Sequence, residues 1–584
     1  MENLEIAAAL KEFADLLEIR GGVNPFRVRA YRNAARTVEE HPVPVRRLVE
    51  EGADLTELPA IGKDMASHIA QLARTGRLAE LDDLAEEVPR SLVEITRLPG
   101  VGPKKVAKMW RELGITDVAG VAEAAAAGRL AALEGFGEKT EKKILAAVET
   151  YQSREKRFRL SDVDQLVRPL VEHLREDPRV GRLDVAGSWR RRRETVGDVD
   201  LLVESDEPGP VMERFTGWRQ VAEVDKAGDT RGTVHLRSGL QVDLRILPAA
   251  SYGAALVYFT GSKEHNVALR RRALERGLTV SEYGVFEVVE EAGGDEDSDP
   301  GRARGDRVAG RTEEEVYEAL GLPWIPPELR EDRGEIAAAE AGDLPTLLTL
   351  DDIRGDLQMH STWSDGKNSI EEMLQACEER GYEYFALTDH SKALAMTGGM
   401  DAAKLARQWE EIDAVTDRHD GIRLLRSMEV DILADGSLDL EEEWLERLDI
   451  VVASVHSRFD LPAAEQTERI LAAVRHPRVD ILAHPTGRIL NERDPFAFDL
   501  DAVLEACAEH HVAVELNAHP ARLDLKDTHL VRAKEKGVKV VISTDAHRVR
   551  ELDLISYGVE QARRAWLEPA DVLNTLPLPA MLEA

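Results

Sequence analysis

The sequence predicts a multidomain protein: a helical N-terminal region, an α+β core, and a C-terminal domain in which short strands alternate with helices. Three observations carry this. The chain has 584 residues, whereas a single hydrophobic core stops growing near ~250–300 residues. A Gly-turned motif recurs three times before residue 150. Beyond residue 345, apolar strand-length runs recur, separated by helix-length polar sequence, which argues for parallel strands in a barrel or an open sheet.

Taken in order, residues 1–90 and 91–150 read as two helical groups broken at Pro and Gly. In 151–250, the segments Asp184–Gly187, Val199–Val203 and Leu240–Leu247 read as strands among helices. A further subdomain spans 251–321, and its acidic, Gly-rich stretch 290–306 reads as a loop. The Pro-rich passage 322–345 reads as an interdomain linker. The strand–helix domain fills 346–584.

Composition excludes several classes. There is no apolar run of the ~20 residues needed to span a bilayer, so no membrane association is expected. The N-terminal helix lacks the basic stretch and cleavage site of a secretion signal. Only Cys377 and Cys507 occur, so a disulfide framework is not expected and a reducing cytoplasm fits. The formal charge is −34, from 76 basic and 110 acidic residues. A field of that sign repels nucleic acid, and composition alone favours a protein that never touches it. Only 18 of the 76 basic residues are Lys; such a surface suits a salt-loaded cytoplasm, a halophilic trait.

The motifs point the other way, towards nucleic acid. Leu58-Pro-Ala-Ile-Gly62, Leu98-Pro-Gly100-Val-Gly102 and Leu133-Glu-Gly135-Phe-Gly137 each precede a Lys-containing helix. They resemble the helix-hairpin-helix, whose turn points backbone N–H groups at a DNA phosphate. In the core, Gly187-Ser188 opens a turn, four arginines follow, and Gly197-Asp198-Val-Asp200 ends the segment. On a strand, Asp198 and Asp200 share one face, and two facing carboxylates repel unless a cation lies between them. Asp243, on another strand, supplies a third acid. A solvated edge strand is the bland alternative for an Asp-x-Asp pair; the glycine turn and third acid argue against it.

This segment resembles the nucleotidyltransferase core of family X DNA polymerases. The match extends through Tyr258, Phe259, Gly261, Asn266 and Arg270 to Glu282-Tyr283. The resemblance implies that Asp198, Asp200 and Asp243 hold two Mg²⁺ or Mn²⁺ ions, with Asp243 also acting as base. It implies that Gly187, Ser188, Arg191 and Gly197 contact a dNTP triphosphate. Tyr258 and Phe259 would lie under the sugar and exclude a 2′-OH; Asn266 would read the base edge and Arg270 the template. At the N-terminus, Arg27 and Tyr31 fall where that family grips a 5′-phosphate across a gap. His68 stands where the family's Schiff-base lysine belongs, and an imidazole forms no stable imine.

In the C-terminal third, Gln358, His360, Asp365, His390, Glu429, His456, His484, Asp545 and His547 follow strand runs, where α/β folds place their catalytic groups. Imidazoles and carboxylates together suit Zn²⁺ or Mn²⁺. LQMHSTWSDG, ALTDHS, MEVDIL, ASVHS, LAHP and STDAH resemble the motifs of the PHP domain, in order. That resemblance implies a distorted (β/α)7 barrel with up to three ions. One would be held by His360, Glu429 and Asp545, a second by Glu429, His456 and His484, a third by Asp365, His390 and His547. Gln358 replaces the first His of the usual His-x-His. In PHP-linked family X polymerases this implies 3′–5′ exonuclease and abasic-site endonuclease action. The expectation is a monomeric gap-filling repair polymerase acting on gapped or nicked DNA and dNTPs. The rivals are a PHP phosphoesterase, or a DNA-end binding protein, with an inactive polymerase core; the three intact aspartates argue against both.

Overall fold

The computed structural model describes residues 3–39, 45–96, 98, 100–133, 135–153, 157–289, 304–394, 397–419 and 421–584. They divide into two compact units, 1–157 with 237–239, and the remainder from 158 to 584.

The first unit is helical. Asn3–Arg20 and Pro25–Glu39 pack side by side, with Ile6, Leu10, Phe13, Leu17 and Tyr31 in a common core. The three Gly-turned motifs adopt one geometry. Ile61, Val101 and Phe136 each donate a backbone N–H to the motif's leading leucine, Leu58, Leu98 and Leu133. The residue before each of these donors has a positive φ: Ala60 at 59°, Gly100 at 76° and Gly135 at 83°. Ala60 holds a left-handed backbone that glycine takes at lower cost. Gly62 and Gly102 then cap the helices Lys63–Thr75 and Pro103–Leu113 in near-identical conformation, without any side-chain cap. Pro99 and Glu134 of these motifs lie outside the described residues.

The second unit opens with the α+β core. Strands β1 (Phe158–Arg159) and β3 (Thr195–Val196) form a short pair. Strands β2 (Leu183–Val185), β4 (Asp198–Glu204), β5 (Val221–Ala227), β6 (Arg231–Leu236) and β7 (Gln241–Leu247) form one sheet in the order β2-β4-β7-β6-β5. The expected strand Asp184–Gly187 stops earlier, because Gly187 begins a helical turn through Arg190. Only β4 and β7 run parallel. A subdomain follows, with helices Tyr252–Thr260 and Lys263–Glu275 against an antiparallel sheet of β8 (Leu278–Ser281), β9 (Gly284–Val288) and β10 (Arg304–Ala309). Of the expected loop 290–306, residues 290–303 lie outside the described residues and 304–306 belong to β10.

The passage 322–345 is packed and does not behave as a linker. Leu322, Ile325 and Leu329 join the subdomain core, and Arg330, fully buried, donates to Glu313 at 2.7 Å. Its prolines shape a short 3₁₀ turn, Pro327–Leu329.

The last domain is a nearly closed barrel of seven parallel strands in sequence order: β11 (Gly355–Met359), β12 (Tyr384–Leu387), β13 (Arg423–Asp431), β14 (Ile450–Ser454), β15 (Ile481–Leu482), β16 (Ala513–Asn517) and β17 (Val540–Ser543). A bridge from Met359 to Ala546 joins its two ends. Nearly every strand residue is buried, as parallel strands covered on both faces require. No helix of the described residues is long and apolar enough to cross a membrane.

Candidate functional site

Two clusters of ionisable side chains lie in the second unit. In β4, buried Val199 and Leu201 point into the core and turn Asp198 and Asp200 to the opposite face. The parallel pairing sets Asp200 directly beside Asp243 of β7. Thr233 of β6 donates its hydroxyl to Asp243 Oδ1 at 2.5 Å, and Gln241 Nε2 donates to Oδ2 at 2.8 Å. Burial, then the charges of Asp198 and Asp243, push the Asp200 carboxyl up to about 7, against the pull of Arg245. Three carboxylates open to a common side are the hard-oxygen donor set that Mg²⁺ or Mn²⁺ takes.

Gly187 closes in from the adjoining turn. Its φ is +68°, and a Cβ there would stand 3.1 Å from Asp200 Oδ2. Ser188 sits in the same turn, and Gly197 directly precedes the acids. Arg191, expected at a triphosphate, is 9% exposed and spends its guanidinium on Glu331 (3.0 Å) and the Thr260 carbonyl (2.5 Å). Its neighbours are committed too: Arg190 to Glu313 and Thr260, and Arg192 to Asp164 and Glu560. Arg193 keeps the most exposed side chain of the run's ion-paired members. Four consecutive arginines therefore brace the turn.

Tyr258 and Phe259 meet edge to face at 5.0 Å at the end of their helix. Arg245 lies 4.2 Å over Phe259 and Arg270 lies 5.3 Å over Tyr258. Asn266 donates Nδ2 to the Tyr258 carbonyl at 2.7 Å, tying the two helices across Gly261. In the first unit, Tyr31 Oη and His68 Nδ1 are hydrogen-bonded at 2.9 Å. His68 Nε2 and Arg27 both reach Glu80, at 3.2 and 3.3 Å.

The second cluster crowns the barrel. His360 follows β11, His390 follows β12, Glu429 lies in β13, and His456 and His484 follow β14 and β15; Asp545 and His547 follow β17. Glu429 is the hub. Its Oε2 lies 3.1 Å from His390 Nδ1 and 3.6 Å from His360 Nε2, and its Oε1 lies 2.9 Å from His484 Nε2 and 3.4 Å from His456 Nε2. Asp545 approaches His360 at 3.0 Å, and Asp365 approaches His547 at 3.4 Å and His390 at 3.7 Å. Ligand atoms of His360, Asp365, His390 and His547 all lie within 4.8 Å of one another, as do those of His390, Glu429 and His456. His390 thus belongs to both groups, a sharing the sequence did not suggest.

The donor set fits transition-metal ions. Glu429 Oε2 and the Nδ1 atoms of His360, His390 and His484 are buried without hydrogen-bond partners, as are both amide atoms of Gln358; buried polar atoms normally find one. Asp545 and His484 also hold positive φ values of 54° and 26°, which persist where the surroundings enforce them. Burial, together with His360 and His456 and against Glu429, pulls His390 down to about 4. Burial opposes protonation of His547, yet Asp365 and Asp545 lift it to about 9.

A supporting shell stands behind these ligands. Asp389, fully buried, accepts from Ser361, Ser364 and Gln408. Asp431 is paired with His456 Nδ1 at 3.0 Å, and Asn517 donates to Asp545 at 3.0 Å. Asp389 and Asp431 stand one and two residues from His390 and Glu429; that adjacency was the only available signal.

The chain is similar to known proteins over nearly its whole length. Residues 1–78 match a helix-hairpin-helix domain, 92–150 a SAM-like helix-hairpin-helix tandem, 255–331 the DNA polymerase beta thumb, and 356–519 the PHP domain. The chain is 40% identical over 580 residues to the DNA polymerase/3′-5′ exonuclease PolX of Bacillus subtilis, covering 99% of this chain and 98% of that protein. It is 25% identical to DNA polymerase lambda of Rattus norvegicus over 357 residues, 56% of each chain. A probable phosphatase of Acetivibrio thermocellus is 30% identical over 223 residues, 36% of this chain and 85% of that protein.

Proposed function

Because the chain belongs to the family X DNA polymerases that carry a C-terminal PHP domain, we propose that it fills gaps in DNA during repair and trims 3′ ends with its barrel domain. The observation that carries the first half is the in-register pair Asp200–Asp243 with Asp198 on the same face. Two Mg²⁺ or Mn²⁺ ions bound there supply charge to the attacking and leaving oxygens of an in-line displacement. Asp198 and Asp200 would share both ions. Asp243, fixed by Thr233 and Gln241, would hold one ion and stand beside the primer 3′-OH as its proton acceptor. Gly187 and Ser188 would offer backbone N–H groups to the triphosphate. The Tyr258–Phe259 pair would lie beneath the sugar. Uncapped helix starts at Gly62 and Gly102, with Gly137, would take DNA phosphates, and Arg27 and Tyr31 a 5′-phosphate.

In the barrel, His360, Asp365, His390, Glu429, His456, His484, Asp545 and His547 would hold Zn²⁺ or Mn²⁺, with Gln358 at the margin. Those ions supply an activated water and absorb phosphoryl charge; the residues fix their spacing, and Asp389, Asp431 and Asn517 orient the ligands. This supports 3′–5′ exonuclease and abasic-site endonuclease activity on nicked or gapped DNA. The acid-rich, Lys-poor composition further supports work in concentrated salt.

The test is dNTP incorporation on gapped DNA, with and without chelator, beside release of nucleotides from a 3′ end. Asp198→Ala should abolish the first and spare the second; His360→Ala should do the reverse. Exonuclease activity that follows Asp198 would place editing in the α+β core and refute the assignment of the barrel.

A further inference from the structure

Beside the barrel's metal-ligand cluster, two arginines are less fully paired than most buried arginines of this acidic chain. Arg522 stands at the edge of the cluster, its Nε 3.5 Å from Asp545 Oδ2, and no other hydrogen bond engages its guanidinium among the described residues. Arg493 is half-buried, and its guanidinium makes one hydrogen bond, from Nε to the Gly487 carbonyl at 2.8 Å. No carboxylate of the described residues lies within ion-pair distance of it. The two cations feel each other: Arg493 is held below the usual guanidinium range first by burial and then by Arg522. Asp524 and Glu492 pull the other way without cancelling it. Asp524 is spent on the Thr486 N–H and hydroxyl, and Glu492 pairs with Arg159. Two partly desolvated guanidinium groups in one electrostatic neighbourhood, with Asp545 the only carboxylate of the described residues within ion-pair distance of either, are costly unless an anion joins them.

The segment that carries Arg493 is built to hold it still. Its guanidinium lies 4.2 Å from the Phe459 ring centroid, and Phe459 stacks in turn on Phe496 at 6.0 Å. Gly487 is required beneath, since a Cβ there would meet Phe496 at 2.6 Å. The α+β core clamps the same loop: Arg488 pairs with Glu194 at 2.7 Å, and Arg159 donates to the Leu490 carbonyl at 3.0 Å. Planar stacking fixes a guanidinium while leaving its edge free for phosphate oxygens.

We propose that Arg522 and Arg493 form a two-step phosphate track leading out of the barrel pocket. Arg522 receives the phosphodiester to be cleaved and Arg493 the next phosphate along a single strand, so that the site favours polynucleotide ends over small phosphate esters. This rests on the exonuclease reading above. The track supplies a binding term that a lone phosphate ester cannot use, because such a ligand has no second phosphate to reach Arg493.

The test pairs a variant with a chemically altered substrate, using the full-length chain. Substrates are a single-stranded oligonucleotide and its twin bearing one neutral methylphosphonate at the linkage next to the 3′-terminal one. Arg493→Gln should raise KM for the natural strand roughly tenfold, the value of one charged hydrogen bond. It should leave KM for the methylphosphonate strand close to that of the unaltered protein, which should itself bind that strand more weakly. Anisotropy of both labelled strands in EDTA should show the same pattern without metal, and Arg493→Lys should recover part of the loss. An equal rise on both strands, or no rise on either, would overturn the track while leaving the exonuclease intact. Failure of the unaltered protein to release nucleotides from any 3′ end would instead overturn the exonuclease reading, and the track with it.

Discussion

Asp243 and Asp200 face each other across one strand pairing, yet their surroundings differ. Asp243 accepts from two neutral donors, whereas Asp200 is half-buried among like charges. Thr233→Val keeps the shape of the side chain and removes one donor. Incorporation should fall roughly 10- to 100-fold, as for other partners of metal ligands, without disappearing; Asp243→Ala should abolish it. Single-turnover rates on gapped DNA separate the two cases, and an unchanged rate for Thr233→Val would mean that Asp243 needs no such support. The raised Asp200 carboxyl gives a pH dependence with a definite sign. Its folded pKa, about 7, exceeds the unfolded value, so metal-free protein binds more protons folded than unfolded between the two. Stability therefore declines as pH rises from the ordinary carboxylate range through about 7. A metal needs the ionised form, so Mg²⁺ affinity should strengthen over the same rise, and titration calorimetry at several pH values would read it. Asp198→Asn should shift that profile to lower pH by removing one repelling charge. Of these residues Asp198 and Asp200 were read from their spacing and Asp243 from its place on another strand run. Thr233 was not, because its partner is ten residues away on another strand.

At the scale of elements, the helix Ile555–Arg564 joins the barrel to the α+β core. Its Tyr557 hydroxyl donates to buried Asp164 at 2.9 Å, an acid that also accepts from Trp189 at 2.7 Å. Gln561 donates to the Arg192 carbonyl at 2.7 Å, and Arg564 to the Arg191 carbonyl at 2.6 Å. These bonds hold the backbone just beyond Gly187-Ser188, so a helix of the second domain helps to shape the turn of the first. Tyr557→Phe and Gln561→Met each remove one buried hydrogen bond while conserving bulk. Each should lower stability by about 1–2 kcal/mol, read by urea unfolding. Both should also slow incorporation more than exonuclease, since no barrel ligand contacts either residue. Equal effects on the two activities would mean that the strap is merely structural. This coupling explains where the sequence misled. Barrel strands were readable because burial on both faces makes them continuous apolar runs. The passage 322–345 reads as a linker because of its prolines. Its packing depends on Arg330 meeting Glu313 and on Leu322, Ile325 and Leu329 filling a core assembled from distant segments. The partners of the arginine run, Glu313, Glu331 and Glu560, likewise lie far along the chain and could not be read from it.

At the scale of the whole molecule, the net charge of −34 sets how DNA can be held at all. A protein that grips DNA through many Lys and Arg contacts releases one counterion set per neutralised phosphate, and its affinity falls with a log–log salt slope near −0.9 for each. This chain has few lysines, and many arginines of its second unit are already ion-paired to its own acids. Its phosphate contacts must come chiefly from uncapped backbone N–H groups, as at Gly62 and Gly102, and from a few local cations. A hydrogen bond from a neutral N–H displaces far less counterion than an ammonium does. Added salt also screens the long-range repulsion between the acidic surface and DNA, because the Debye length shrinks to ~3 Å at 1 M. The two effects oppose each other, so the net slope should be shallow, no steeper than about −3. Gap filling should accordingly persist at about 1 M KCl, where the Debye length is ~3 Å. Fluorescence anisotropy of a gapped duplex across a KCl series gives the slope, and incorporation in the same buffers gives the activity. A steep slope with activity confined to dilute salt would show that ordinary cationic contacts dominate. It would remove the reading of a salt-adapted surface and leave the assignment of both active sites untouched.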